Sequence, residues 1–177
     1  MPLALTTQVA QSLLEEGVSL RGFPRIAAAL SQHAASIQDP ALLVEAVRAR
    51  IGGLTLSGLV PSGGKLSVIA LAPELESLLV SAQRAAPHSE FPFEPGLGNR
   101  LTSSVLDAAR PLIATGLPVV LVTQPGPRRA LWRLLRPHAA LPVLGFPELQ
   151  DLREIDVIAV IGADAAADPA PQAMESA

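Results

Sequence analysis

The chain has 177 residues, of which 49% are hydrophobic and 3% aromatic, and its formal net charge is −3. It contains no cysteine, which excludes disulfides, zinc–thiolate sites and a cysteine nucleophile. The acidic balance gives no support to nucleic-acid binding, and no apolar run approaches the ~20 residues of a membrane helix.

Residues 15–30, EEGVSLRGFPRIAAAL, contain the boundary between two predicted helices. Gly22 and Pro24 are poor residues for a helix interior, and a helix starting at Ser19 would lose the backbone hydrogen bond that Pro24 cannot donate. A proline in the first turn loses no such bond. We therefore predict that the second helix begins at Phe23 or Pro24, after a tight connector.

Composition and apolar spacing divide the chain into three parts. Short helices with short links indicate a small helical unit over residues 1–53, whose third helix is capped by Asp39 and ends near Gly52–Gly53. Residues 54–162 favour an α/β unit. Residues 163–177 are rich in Ala, Pro and Asp, and we predict that they are disordered.

The second part predicts strands that alternate with helices. LTLSGLV and KLSVIAL flank PSGG, a pattern typical of a β-hairpin. VVLVT, at residues 119–123, is a continuous apolar run, which predicts a strand buried on both faces. The predicted fold class is α+β or α/β, in which the small helical part precedes a mixed, mainly parallel sheet with one hairpin.

No stretch of the chain predicts catalysis, a metal site or a bound cofactor. PSGGKLS differs from a phosphate-binding loop because its first glycine is out of register and a leucine replaces the serine or threonine. His33, His88 and His138 are widely separated, and none has a ligand partner at helical spacing. We therefore expect no enzyme activity and no metal.

Charged residues on the predicted helices are interpreted as solvated faces. This applies to the carboxylates of Glu15–Glu16 and of Glu74 and Glu76, which sit on helices without a partner group for acid–base chemistry. Glu45 and Arg48 lie three residues apart and are spaced to pair with each other.

The loop after strand 119–123 is the best place for a small ligand, since ligands bind beyond the carboxyl ends of strands in α/β sheets. Gly126 and the following helix N-terminus could hold an anion, although Pro125 and Pro127 remove two N–H donors. A small α/β ligand-binding or regulatory domain is therefore the alternative function.

The predicted helix at residues 128–137, RRALWRLLRP, carries an arginine stripe on the face opposite its three leucines. Two interpretations remain open: a solvated helix face, or a docking surface for an acidic protein partner, because Arg and Trp are enriched at interface hot spots. The docking candidates are Arg129, Trp132, Arg133 and Arg136. Nucleic acid is a weaker candidate because the chain has no matching basic field.

Seven segments follow one another in a recognisable order along the chain. They are LLEEGVSLRGFPRIAAAL, DPALLVEAVRARIG, KLSVIALAPELESLL, FEPGLGNRL, PVVLVTQPGPRRALWRLL, LPVLGFPEL and IDVIAVIG. The ordered set resembles the FlhA/type III secretion export-gate (FHIPEP) family over nearly all of residues 9–162. IDVIAVIG is more similar to flagellar than to virulence-secretion members. The chain departs from the family's usual pattern at Gly22-Phe23-Pro24 and at Gly145-Phe146-Pro147-Glu148.

This resemblance implies a non-enzymatic docking and ring-assembly module of a protein-export gate, without a cofactor. Members of the family join a membrane domain to four cytoplasmic subdomains, which form a nonameric ring, receive chaperone–substrate complexes and contact an export stalk. The chain is similar to the last two subdomains, so we expect a fragment, a deliberately truncated piece or a shortened paralogue. Its expected location is the cytoplasmic face of the bacterial inner membrane, with no membrane span in this chain. The implied subunit-interface residues are Arg21, Arg25, Glu45 and Arg48.

Overall fold

A computed structural model of the chain describes residues 3–60, 64–150 and 154–162. The helical part consists of α1 (Leu3–Glu15), α2 (Phe23–His33) and α3 (Pro40–Leu59), with a 3-10 turn at Leu20–Gly22. Apolar side chains at helical spacing form its core, which includes Val9, Leu13, Ile26, Leu30, Leu43, Val47 and Ile51. Within the described ranges, no helix is both long enough and apolar enough to cross a bilayer.

The second helix begins at Phe23, as predicted. The Ser19 hydroxyl accepts a hydrogen bond from the backbone N–H two residues on (3.3 Å), and so caps the short 3-10 turn rather than the α-helix. Pro24 lies in the first turn of α2, where it interrupts no helical hydrogen bond. Gly22 lies against α3, where an added Cβ would be 2.3 Å from Leu54 Cδ1. A larger residue at this position would therefore require the Leu54 side chain to shift.

Helix α3 is longer than predicted, because it continues past Gly52–Gly53. All residues of LTLSGLV except the last belong to α3, so the predicted hairpin with KLSVIAL is wrong. Tertiary packing explains the difference, since Leu56 and Val60 are buried against the sheet. Another backbone segment passes close to α3 at Gly52. An added Cβ at this position would lie 2.3 Å from the carbonyl oxygen of Glu148.

The α/β part contains four strands, three helices and a second 3-10 turn in the described residues. In chain order they are β1 (Leu66–Leu71), α4 (Pro73–Ala85), α5 (Pro95–Ala114), β2 (Val119–Thr123), α6 (Pro125–Leu135), β3 (Val143–Gly145), the turn Phe146–Leu149 and β4 (Ile155–Ile161). The strand order is β3-β2-β1-β4, and every neighbouring pair is parallel. The predicted α+β or α/β class is confirmed, and the sheet is wholly parallel instead of mixed.

The two faces of the sheet are covered by different elements. Helices α4, α5 and α6 pack on one face, against Ile69 and Leu121. The end of α3 covers the other face, against Val68 and Val120. Every residue of β2 is buried, which confirms the prediction from VVLVT. Helix α3 therefore contributes to the core of the helical part and also covers the sheet.

Helix α6 begins earlier than predicted, with Pro125 in its first turn. The assignment of residues 1–53 and 54–162 to separate units stays a prediction, although α3 crosses the proposed border. The predicted disorder of residues 163–177 concerns a segment outside the described residues.

Candidate docking surface and buried charge network

Five charged side chains form a buried charge network where the helical part meets the α/β part. Its members are Glu16, Glu45, Arg48, Arg128 and Glu148. Glu16 directly follows α1, Glu45 and Arg48 are on α3, Arg128 is near the start of α6, and Glu148 belongs to the second 3-10 turn. Four of the side chains are at most 3% exposed, and that of Glu45 is 14% exposed.

Arg128 has a fully buried side chain whose guanidinium group contacts two carboxylates. Its Nε and Nη2 donate to the two oxygens of Glu45, at 2.7 and 2.6 Å. Nη1 and Nη2 donate to Glu16, and Nη1 also donates to the carbonyl oxygen of Val143 at 3.3 Å. Burial lowers the pKa of Arg128, but Glu45 and Glu16 outweigh this and raise the pKa above its usual value. The group therefore stays charged.

Arg48 pairs with the remaining carboxylates of the network. Its Nε and Nη2 contact the two oxygens of Glu148 at 3.1 and 3.0 Å, and its Nη1 donates to Glu16 Oε2 at 3.1 Å. Glu16 therefore bridges Arg48 and Arg128. Burial raises the pKa of Glu16, but the positive charges of Arg128, Arg48 and Arg129 outweigh burial and hold the pKa below its ordinary value.

The charge network connects the end of α1, helix α3, helix α6 and the second 3-10 turn. Removing a charge from water costs several kcal/mol even after relaxation, and only good pairing offsets that cost. Arg128 is fixed to α6, whereas its two carboxylates come from α3 and from the end of α1. We interpret the network as specifying how the helical part sits against α6.

Two predictions about these charges are wrong. Glu16 is buried instead of solvated, because it pairs with two buried arginines. Glu45 and Arg48 are not a pair, since Glu45 contacts Arg128 and Arg48 contacts Glu16. The Arg48 side chain is only 3% exposed, so a direct contact with a neighbouring subunit would require it to leave the network.

The sequence contained one signal for the buried arginine. Arg128 precedes Leu131 by three residues and Leu135 by seven, which places it on the buried face of α6. An arginine on an apolar face requires a buried carboxylate partner. Spacing in the sequence does not identify that partner, because Glu16 is 112 positions away.

The arginine stripe is only partly exposed. The Arg129 side chain is 21% exposed, and its Nε lies 3.8 Å from Glu16 Oε1. The guanidinium carbon of Arg136 lies 5.0 Å from the centroid of the Trp132 ring, which is a cation–π contact. Of the stripe residues Arg129, Arg133 and Arg136, Arg129 is therefore held within the fold rather than on a solvated helix face.

Two grooves adjoin α6, and each has a volume of about 510 Å³. Trp132 and Arg136 line the first, together with the end of α1 and the C-terminal part of α3, and we name it the α1–α6 groove. Arg129 and Arg133 line the second, the α3–α4–α6 groove, together with the start of α3 and the end of α4. The structure thus divides the predicted docking residues between two grooves, and their docking role stays a prediction.

The residues implied as a subunit interface do not share one environment. Arg21 and Arg25 are exposed, near the start of α2. Glu45 and Arg48 belong to the charge network. The role of all four in a subunit interface stays a prediction.

The predicted anion site after β2 is taken by a carboxylate of the chain itself. Glu76 of α4 is 9% exposed, and its Oε1 accepts hydrogen bonds from the Thr123 hydroxyl (3.1 Å) and the Gln124 N–H (2.8 Å). A second anion beside this carboxylate would be repelled. The prediction that Glu76 is solvated is wrong, and the geometry does not favour the small-ligand alternative.

The histidines remain apart in the fold. His88 lines the α3–α4–α6 groove, whereas His33 is on α2 and His138 follows α6. Among residues 3–60, 64–150 and 154–162, no group of three or more His, Asp or Glu side chains is arranged to hold a metal ion.

Comparison with known proteins gives a family match and a set of longer relatives. The chain matches the FHIPEP family over residues 1–154. It is 34% identical over 165 residues to the flagellar biosynthesis protein FlhA of Yersinia enterocolitica, an alignment that covers 90% of this chain and 23% of that protein. The chain therefore spans about a quarter of the length of the curated relatives it matches.

Solved structures share the fold. A chain in the complex of CdsV and CdsO from Chlamydia pneumoniae is 27% identical with a TM-score of 0.72, and the match covers 90% of this chain and 48% of that one. The nonameric SctV-C of EPEC is 22% identical with a TM-score of 0.79, covering 91% and 49% of the two chains, and at this identity it shows the fold alone. Because the family match extends over residues 1–154 of 177, and the fold agrees with these solved structures, the chain belongs to the FHIPEP family.

Proposed function

We propose that the chain is a non-enzymatic docking and ring-assembly module of a flagellar or type III protein-export gate. The observation that carries the proposal is the family match over residues 1–154. The proposed partners are other gate subunits, stalk or export-apparatus proteins and chaperone–substrate complexes. The proposed location is the cytoplasmic face of the bacterial inner membrane.

The exposed side of α6 supports a docking role. Arg136 is held over the Trp132 ring at 5.0 Å, so part of its conformational freedom is already lost before a partner binds. A large aromatic ring beside an arginine is a typical composition for an interface hot spot. A relative at 27% identity was solved as a complex of CdsV with CdsO, so a CdsO counterpart is the first candidate partner.

Ring assembly is proposed from a different observation. SctV-C, which has this fold at a TM-score of 0.79, was solved as a nonamer. Arg21 and Arg25 are exposed and available to a neighbouring subunit. Glu45 and Arg48 would act indirectly, by fixing α3 against α6 through the charge network.

The docking proposal is tested by titrating the CdsO counterpart, from the organism that encodes the chain, against wild type and the double variant Arg133→Ser/Arg136→Ser. Arg129 is left in place because it lies beside the buried Glu16. We expect the double variant to bind more weakly at low ionic strength, chiefly through slower association, and to show a smaller salt dependence.

The control is Arg110→Ser, since Arg110 is 74% exposed on α5 and pairs within its own helix with Asp107. It should bind as wild type does. Equal affinities of wild type and double variant at low ionic strength would contradict docking through α6.

A further inference from the structure

The α3–α4–α6 groove has an apolar wall. Its apolar lining comes from Ala41 and Leu42 on α3, Ala130 on α6, and Pro87 and Pro125. Leu42 is 60% exposed, which leaves most of its side chain available to an apolar group of another molecule. The groove therefore offers hydrophobic contact as well as polar contact.

The rim of the groove is basic, although the chain as a whole has a net charge of −3. Arg84 comes from α4, Arg129 and Arg133 from α6, and His88 from the loop after α4. Arg84 and Arg133 make no hydrogen bond or ion pair with any residue in the described ranges. Arg129 differs from these two, because it is paired with carboxylates outside the groove: its Nη2 lies 3.6 Å from Glu15 Oε2 and its Nε lies 3.8 Å from Glu16 Oε1.

The acidic side chains that line the groove are already engaged. Both oxygens of Glu45 are held by Arg128 at 2.7 and 2.6 Å. Asp39 Oδ1 accepts the N–H of Ala41 at 2.8 Å, and so caps α3. Glu45 is neutralised by Arg128, whereas Asp39 keeps its charge as a helix cap. Arg84 and Arg133 therefore outnumber Asp39, so the groove has an excess of positive charge, and a carboxylate is the group that complements it.

We propose that this groove binds a short segment of a partner protein in which carboxylates flank an aliphatic side chain. The aliphatic group packs on Leu42, and the carboxylates pair with Arg84 and Arg133 from different walls. A small inorganic anion would leave the apolar wall uncovered. The volume of about 510 Å³ suits side chains of a peptide segment, since pockets for organic ligands measure ~300–1,000 Å³. The inference rests on the proposed docking function but uses walls from α3 and α4 in addition to α6.

The probe is a fluorescently labelled peptide that repeats the unit Glu-Leu-Leu-Glu, titrated against the 177-residue chain and followed by anisotropy. A second peptide repeats Gln-Leu-Leu-Gln and matches the first in shape. We expect the acidic peptide to bind, with an affinity that falls as ionic strength rises, and the amide peptide to bind at least about fivefold more weakly.

Two groove variants outside α6 locate the site. Arg84→Ser and Leu42→Ser should each weaken binding of the acidic peptide by about fivefold or more, whereas Arg110→Ser, outside the groove, should leave it unchanged. Arg84 and Leu42 are exposed, so melting temperatures near that of wild type are expected and are measured first.

Equal affinity for the two peptides, or unchanged affinity in both groove variants, overturns the inference. Binding that Arg84→Ser weakens and Leu42→Ser does not would indicate attraction of any polyanion, and also overturns it. If the peptide fails while the CdsO counterpart still depends on Arg133 and Arg136, the docking function stands and the groove inference falls. If the acidic peptide binds as expected but the CdsO counterpart does not bind, only the proposal of docking through α6 is contradicted.

Discussion

The contribution of Arg128 to the stability of the fold depends on the carboxylates that pair with it. It is fully buried, and its charge is balanced by Glu16 and Glu45. Replacing it with alanine would leave both carboxylates buried without their main partner. We expect Arg128→Ala to lower the free energy of unfolding by about 3–5 kcal/mol, measured by urea denaturation.

The control for this substitution is Arg110→Ala, because Arg110 is 74% exposed. Its expected effect is within about 0.5 kcal/mol. Similar losses for the two variants would show that the charge network adds nothing to stability beyond an ordinary surface pair.

Glu16 predicts how stability depends on pH. Its pKa in the folded chain is held below the ordinary value of 4.5, so the folded state binds fewer protons than the unfolded state as the pH falls. The stability that Glu16 contributes is fully present above the unfolded-state pKa and is lost as the pH falls through the folded-state pKa. We expect the free energy of unfolding to fall below about pH 5 in wild type, and to fall less steeply in Glu16→Gln.

Urea denaturation at a series of pH values measures how steeply the free energy of unfolding changes with pH in wild type and in Glu16→Gln. Glu94 provides the comparison at the surface: the N–H groups of Gly96 and Leu97 lower its pKa too, and it is fully exposed. Glu94→Gln should therefore retain the part of the slope that belongs to Glu16. A Glu16→Gln slope identical to that of wild type would contradict the assignment.

Helix α3 contacts both parts of the chain. Two of its glycines allow the close packing of α3 against the backbone of Glu148 to be tested within one element. A Cβ at Gly52 would lie 2.3 Å from the backbone oxygen of Glu148, whereas a Cβ at Gly58 meets nothing within 4 Å. Alanine favours a helix over glycine by up to ~1 kcal/mol. We expect Gly52→Ala to destabilise the chain by about 1–3 kcal/mol, despite this propensity, because backbone atoms must move.

Gly58→Ala is the matched control in the same helix. We expect it to leave the free energy of unfolding unchanged or raise it by up to about 1 kcal/mol, because no neighbouring atom obstructs the methyl group. A gain in stability for Gly52→Ala would show that the approach of Glu148 is not required.

Local patterns predicted most elements but not all of their ends. The start of α2 followed from proline chemistry at Pro24, and β2 followed from its unbroken apolar run. The end of α3 was not predicted correctly. Gly52 and Gly53 favour a helix end, but packing of Leu56 on the sheet stabilises the helix beyond them. Propensity is a weak prior, and tertiary packing overrode it here.

The candidate site was less predictable than the fold for a related reason. Arg129, Arg133 and Arg136 were found from spacing on one helix, which is a local pattern. The carboxylates that restrain Arg129 are Glu15 and Glu16, on another element more than a hundred positions earlier. Only the folded chain brings such groups together.

At the scale of the whole molecule, the chain corresponds to about half of the solved relatives it matches. On the proposed ring-assembly function, these 177 residues would bury a smaller interface than a longer relative does, and a smaller interface offsets less of the freedom that subunits lose on association. We expect the 177-residue chain to sediment mostly as a monomer at micromolar concentration. A stable oligomer in sedimentation velocity would refute this and would make Arg21 and Arg25 the first residues to substitute.

The charge network also has a consequence for the order of folding. Its ion pairs join positions that are 32 to 112 residues apart in sequence, whereas the core of the three N-terminal helices is made from contacts within that segment. Closing long loops costs entropy before the contacts can form, so we expect the network to form late in folding. Interactions that are absent from the transition state affect the unfolding rate more than the folding rate. We therefore expect the five charges mainly to slow unfolding, by delaying the separation of the helical part from the α/β part.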